Sequence, residues 1–233
     1  MLQIIPVIDI RGGRVVHARG GNRQQYPALK SLLTNSVTPA EVISDLQKCL
    51  PFQQLYIADL DAIEEGKQRM DFYESLCRSF PQIEFWIDSG IRQLTALSAC
   101  SQINNLRMVA GSETLADSSM LTQGGGDACL ILSLDRKNQS NLGKADLFTE
   151  PRLWPKNVIL MNLDRVGSKL GPDLEWLQAQ RSKAPEVAWY LAGGIRNEAD
   201  LIKAQQSGAA GVLVASALHN GAINLQTMKR LMQ

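Results

Sequence analysis

The chain has 233 residues, of which 45% are hydrophobic, 20% charged and 6% aromatic. It is therefore long and apolar enough to bury a full core, and too well mixed to stay disordered. With 24 Lys and Arg against 23 Asp and Glu the formal net charge is +1, which supplies no general field for nucleic acid or an anionic membrane. Apolar runs such as Ala128 to Leu132 fall far short of the ~20 residues that span a bilayer, and Pro6 and Asp9 interrupt the N-terminus before a signal-like segment develops, so a cytoplasmic protein is expected. Cys49, Cys77, Cys100 and Cys129 lie apart, with no CxxC pair and no His in ligand spacing. Reduced thiols are expected in place of disulfides or zinc.

Short apolar runs bounded by turn or acidic residues recur along the chain: Ile4 to Ile8, Leu55 to Ala58, Ile83 to Ile87, Leu106 to Ala110, Ala128 to Leu132, Val158 to Met161, Val187 to Leu191 and Gly211 to Val214. They lack polar alternation, as strands buried on both faces do. Between them come stretches with helical spacing, such as Pro39 to Leu50, Asp173 to Arg181 and Asn197 to Gln206. Pro39 and Asn197 suit helix starts, and Gly208 suits a stop. The pattern predicts parallel βα units in one domain, since single α/β barrels reach ~250 residues.

An internal repeat sharpens that prediction. Ser89-Gly90-Ile91-Arg92 lies over Gly193-Gly194-Ile195-Arg196 at an offset of 104 positions, and the same offset brings Gly111-Ser112 over Ala215-Ser216 with the serines in register. At 103 positions, Asp59-Leu60-Asp61 meets Asn162-Leu163-Asp164. Three ordered matches at nearly one offset divide residues 1–233 into two halves of four strands, about 1–124 and 125–233, meeting near Gly124-Gly125-Gly126. The expected fold is a closed α/β barrel of the TIM type, (β/α)₈, built from two duplicated (β/α)₄ half-barrels. Closure leaves no exposed strand edge, and the active site is expected at the C-terminal ends of the strands.

At the ends of the seventh and eighth strands, Gly193, Gly194, Ala215 and Ser216 offer small residues next to helix starts, where barrels commonly hold a phosphate. The repeat predicts a second anion site from Ser89, Gly90, Gly111 and Ser112. The structural alternative is that these glycines serve only tight turns and close packing. Asp88, which stands where the other half has Ala192, would repel a phosphate unless turned away or paired. Asp9 closes the first strand and Asp135 the fifth, so in an eight-strand barrel they face each other across the mouth. Such a pair suits acid–base catalysis, one carboxyl giving a proton and the other taking one; the alternative is that each caps a turn or pairs with Arg11 or Arg136. Asp59, Asp61, Asn162 and Asp164 mark the ends of the second and sixth strands, and strand alternation lets only one of each pair point inward. His17 and His219 have no ligand partner in sequence and are read as structural. Arg14, Arg19, Arg23 and Lys30 make the long first loop, Arg11 to Pro39, basic and able to cover a phosphorylated ligand.

These elements in this order resemble the ribotide isomerase of histidine biosynthesis and its sister, the cyclase subunit of imidazole glycerol phosphate synthase. The carrying residues are Ile5-Pro6-Val7-Ile8-Asp9 with Gly13-Arg14-Val15-Val16, Asp59-Leu60-Asp61-Ala62, Ser89-Gly90-Ile91-Arg92, Gly111-Ser112, Ser133-Leu134-Asp135, Gly171-Pro172-Asp173, Gly193-Gly194-Ile195-Arg196 and Ala215-Ser216. The resemblance spans essentially the whole chain. It implies a doubly phosphorylated ribotide substrate, no metal, no cofactor, and an Amadori rearrangement of an aminoaldose to an aminoketose. Asp9 and Asp135 would be the catalytic pair, one protonating the furanose ring oxygen and the other moving a proton at carbon two. The chain departs from the isomerase pattern at Met161, where a substrate-holding threonine is usual, and at Asp88-Ser89-Gly90, where a triple glycine is usual. Those departures are similar to the isomerase-like barrels of methanogens and methylotrophs, with a part in methanopterin-type C1 cofactor synthesis.

The leading expectation is thus an intramolecular aldose–ketose isomerase acting on a phosphoribosyl metabolite. The alternatives are a divergent isomerase, lyase or cyclase of C1-cofactor synthesis, and a non-catalytic phosphate-ligand binder. The expected partner is a small phosphorylated sugar, with no nucleic acid, membrane or glutaminase; the oligomeric state is left open.

Overall fold

The alternation of apolar runs with helical stretches produces a sheet that closes on itself. The computed structural model describes residues 1–18, 23–92, 100, 102–123, 129–168 and 170–231. The strands, numbered in chain order, are β1 (Gln3–Arg11), β2 (Arg14–Val16), β3 (Gln54–Asp59), β4 (Glu84–Asp88), β5 (Leu106–Gly111), β6 (Leu130–Lys137), β7 (Ser140–Leu142), β8 (Asn157–Asn162), β9 (Ala188–Ala192) and β10 (Gly211–Val214). Parallel pairings run from β1 through β3, β4, β5, β6, β8, β9 and β10, and the last strand returns to the first with Gln3 opposite Gly211 and Pro6 opposite Val214. The result is a (β/α)₈ barrel. The predicted start of the fifth strand, Ala128, and the predicted junction at Gly124-Gly125-Gly126 lie outside the described residues.

Helices fill the spaces between strands for local reasons that can be read in the chain. Pro39 opens the helix Pro39–Cys49, where its missing N–H is harmless. Asp59 caps Leu60–Glu65, Asp173 caps Leu174–Arg181, and Asn197 caps Glu198–Gln206, each side chain accepting a backbone N–H of the first turn. After the last of these helices Gly208 takes φ +80°, ending it as predicted.

Two apolar layers result because neighbouring strand residues point to opposite faces. Ile4, Ile8 and Ile10 of β1 pack outward with Val42, Ile43 and Leu46 of the first helix, whereas Ile5 faces inward with Tyr56, Trp86, Val109, Ile131, Ile159, Tyr190 and Leu213. Trp86 and Tyr190 meet edge to face at 4.8 Å between ring centroids. At the N-terminal end of the barrel, Arg107 pairs with Glu84 at 3.1 Å. This filling leaves the opposite end open.

Two strands were not foreseen. β2 folds back antiparallel on β1, with Asp9 opposite Val16, and β7 folds back on β6, with Asp135 opposite Leu142. Both hairpins turn through two residues with positive φ, Gly12-Gly13 in the first and Asn138-Gln139 in the second, the backbone that a tight hairpin requires. Three-residue strands carry too little periodicity to be read from sequence. The hairpins extend β1 and β6 beyond the barrel rim and place both aspartates just inside the mouth.

Candidate active site

The ends of the strands surround a cavity of about 390 Å³, within the usual size range of small-molecule sites. Asp9 from β1, Asp88 from β4 and Asp135 from β6 line it, joined by Glu113 from the turn after β5. The first loop folds across the mouth through backbone bonds such as His17 N–H to the Pro27 carbonyl at 2.8 Å. It thereby contributes Arg23 and Tyr26 to the lining. Arg23 donates to Glu113 at 2.6 Å, while Arg11 donates to the Arg23 carbonyl at 2.6 Å and fixes that part of the loop.

The carboxyls differ in their support. Asp135 is held on both oxygens: Ser133 Oγ donates to Oδ1 at 2.7 Å, and Ser112 Oγ and the Glu113 N–H donate to Oδ2 at 3.1 and 3.3 Å. Asp88 accepts from the Gly90 N–H at 3.1 Å and from the Tyr56 hydroxyl at 3.1 Å. No such bond reaches the Asp9 carboxyl from any described residue. Burial raises all three above the ordinary carboxylate value: Asp9 to about 7, opposed by the charge of Arg23 and reinforced by Asp88; Asp135 to about 7, opposed by its bond from Ser133; and Asp88 to about 6, opposed by the Gly90 N–H. Desolvation is the dominant cause in each case, because burial removes the water that would stabilise the ionised carboxyl; repulsion between neighbouring carboxylates adds a smaller rise. Near neutral pH, Asp9 and Asp135 can therefore both give and accept protons.

The far side of the mouth is built from backbone. Gly193 and Gly194 follow β9 with φ of +94° and +86°. A Cβ at Gly193 would come within 2.5 Å of the Asn162 carbonyl, and one at Gly194 within 2.1 Å of the Gly171 carbonyl, so the close approach of the neighbouring loop requires glycine. Ala215 and Ser216 follow β10 and line the same cavity, and Ser216 Oγ lies 3.3 Å from His17 Nε2.

Residues 3–224 match the family described as histidine biosynthesis protein. The chain belongs to that family. An uncharacterized protein of Methanocaldococcus jannaschii is 28% identical over 97% of this chain and 96% of the relative. Two relatives are named as imidazole-4-carboxamide isomerases, with two phosphoribosyl groups in the substrate name. The one from Cytophaga hutchinsonii is 27% identical over 98% of both chains. The one from Lactiplantibacillus plantarum is 25% identical over 95% of this chain and 96% of the relative.

Within this family barrel, the residues named from sequence fall into two groups. Asp9, Asp135, Gly111, Gly193, Gly194, Ala215 and Ser216 converge on the cavity. Met161 is there too, next to Asp135 in register. Asp59, Asn162 and Asp164, named from sequence as candidates for the mouth, have side chains bonded at the rim and are not among the residues that line the cavity. Asp59 is fully buried and accepts from Arg69 Nε, the Tyr73 hydroxyl and the Ala62 N–H. Asn162 donates to Asp173 at 2.7 Å, and Asp164 accepts from the Gln139 N–H at 3.3 Å. Asp61 likewise accepts from the Gly12 N–H at 2.7 Å. Arg19 lies outside the described residues. Ser89 and Ser112 are fully buried; Ser112 binds Asp135, and Ser89 Oγ has no partner.

His17 stands beside Ser216, whereas His219 lies away from the cavity lining. His219 is buried with Nδ1 2.9 Å from Ser31 Oγ, and burial lowers its pKa to about 4. All four cysteines are free thiols. Among the described residues, no helix is long and apolar enough to cross a membrane. Glu113, Tyr56 and Arg165 were not singled out from sequence, although all three line the cavity. Glu113 adjoins the repeated serine, but nothing in the chain order announces its bond with Arg23.

Proposed function

We propose that the protein is an intramolecular aldose–ketose isomerase that acts on a phosphoribosyl metabolite, with Asp9 and Asp135 as the acid–base pair. The observation that carries this reading is the presence of two carboxyls with pKa values raised to about 7 in one cavity, on separate strands. Gly193, Gly194 and Ser216 form a backbone cradle suited to a phosphate in the same cavity. One carboxyl gives its proton to the ring oxygen as the C1–O bond breaks and the nitrogen lone pair forms C1=N; the other takes the proton from carbon two to give an enaminol, which becomes the aminoketose as carbon one gains a proton and the C2 hydroxyl loses one. Ser133, Ser112 and the Glu113 N–H hold Asp135 in a single orientation, whereas Asp9 is left to respond to the ligand. The names of the relatives support the reaction class.

The test is turnover of phosphoribosyl aminoaldoses, the histidine-pathway ribotide among them, by the purified protein beside Asp9→Asn and Asp135→Asn. Activity that falls by a factor of about 100 or more in both variants, with ligand affinity little changed, is the expected result. Turnover that survives both substitutions would remove the assigned chemistry. Folded protein that binds phosphosugars yet turns none over would favour a binding protein instead.

A further inference from the structure

The two ends of the cavity differ in charge and in free hydrogen-bonding groups, and that difference bears on what the substrate carries. At the β9–β10 end, Ala192 precedes glycines whose backbone is open to the cavity, and Ser216 and His17 stand beside them. At the corresponding β4–β5 end, Asp88 occupies the place of Ala192 and its own carboxylate takes the Gly90 N–H. Among the described residues, the donors of Ser112 and Glu113 that a second phosphate would need there are already used within the protein, and the unpartnered Ser89 Oγ is fully buried and does not line the cavity. Ser112 Oγ and the Glu113 N–H go to Asp135, and the Ser112 N–H goes to the Ser133 carbonyl at 2.8 Å.

The charge balance points the same way. Asp9, Asp88, Asp135 and Glu113 line the cavity with Arg23, whereas Arg165 and Arg196 line it from the segments after β8 and β9. Arg23 is committed to Glu113 at 2.6 Å. A methyl group at Gly111 would lie 3.3 Å from Asp135 Oδ2 and 3.8 Å from Asp88 Oδ2, so these carboxylates flank one point of the lining. The Asp9 carboxyl lines the cavity without a donor from any described residue. A phosphate brought here would meet acceptors and negative charge, whereas a group rich in N–H donors would satisfy both.

We propose that the substrate carries one phosphate, held at the Gly193, Gly194 and Ser216 end, and a positively charged nitrogen group, an ammonium or amidinium, received by Asp88 and its neighbouring carboxylates at the other end. This rests on the isomerase reading and narrows its substrate class: a phosphoribosyl compound whose second part is basic, in place of a second phosphate. Asp88 is the residue that sets the preference.

A homologous series of ω-aminoalkyl phosphates, plain alkyl phosphates and alkane bisphosphates tests this by calorimetric titration at about pH 8 in low salt, since varying the chain length removes any uncertainty about span. At the best length, the amino compound should bind at least about tenfold more tightly than the plain phosphate, and more tightly than the bisphosphate. In Asp88→Asn, which keeps the shape and can still accept the Gly90 N–H, that advantage should fall about tenfold, and Ser216→Ala should weaken all three series alike. A bisphosphate preferred by the unaltered protein, or an amine preference that survives Asp88→Asn and Asp88→Ala, overturns the proposal while leaving the isomerase reading intact. Failure of every series to bind overturns both the proposal and the phosphate cradle on which the wider reading depends.

Discussion

Replacing Asp9 by Asn should abolish function and stabilise the fold, and the gain should depend on pH. In the folded protein burial holds the Asp9 carboxyl at about 7 against its ordinary 3.8. The folded state therefore retains a proton that the unfolded chain releases, and stability falls as pH rises from about 4 to about 7, then levels off. At ~1.36 kcal/mol per pH unit, the difference between 3.8 and about 7 costs on the order of 4 kcal/mol above neutrality. Asn carries no charge to desolvate, and Asp9 accepts no side-chain hydrogen bond from a described residue that the change would break. Urea unfolding of both proteins should show Asp9→Asn more stable by on the order of 4 kcal/mol at about pH 8, with the gap closing towards about pH 4. Titrating groups that do not interact with Asp9 are common to both proteins and cancel in the difference, while Asp88 and Arg23, which act on it by charge, leave a smaller remainder. A gap that stays the same at both pH values, or that favours the unaltered protein at about pH 8, would refute the claim that Asp9 is an acid held against its solvation preference.

The carboxyls of Asp9 and Asp135, both raised to about 7, should make the pH dependence of kcat/KM a narrow bell near neutrality. Activity falls on the acid side as the base is protonated and on the alkaline side as the acid is lost; a profile flat from about pH 5 to about pH 9 would contradict the pairing. Asp59→Ala should cost about 3–5 kcal/mol in thermal or urea unfolding, because Arg69 and the Tyr73 hydroxyl lose a fully buried partner. Gly194→Ala should weaken phosphate binding in a calorimetric titration by about tenfold or more, since the added Cβ would lie 2.1 Å from the Gly171 carbonyl and must push the cradle apart. An unchanged affinity would mean that phosphate binds elsewhere.

The strand order needed little more than the chain itself. Apolar runs such as Leu106 to Ala110 and Gly211 to Val214 are buried on both faces, so their pattern matches the strands Leu106–Gly111 and Gly211–Val214 within a residue. Helix starts at Pro39 and Asn197 were legible for the same reason: proline geometry and side-chain capping act within a few residues. Asp9 and Asp135 could be placed near strand ends because each closely follows an apolar run. What Asp59 and Asn162 do was not legible, because one residue of strand twist decides whether a side chain faces the mouth or the rim, and their partners Arg69, Tyr73 and Asp173 arrive from neighbouring segments. The fold of the first loop, which brings Arg23 onto Glu113 across 90 positions of chain, is likewise a tertiary event. Local pattern determined which segments pair and where carboxyls stand along them. The field in the mouth, and with it the raised values of Asp9, Asp88 and Asp135, exists only once the barrel closes and water is excluded, because desolvation and Coulomb forces act through space and carry no signature in sequence.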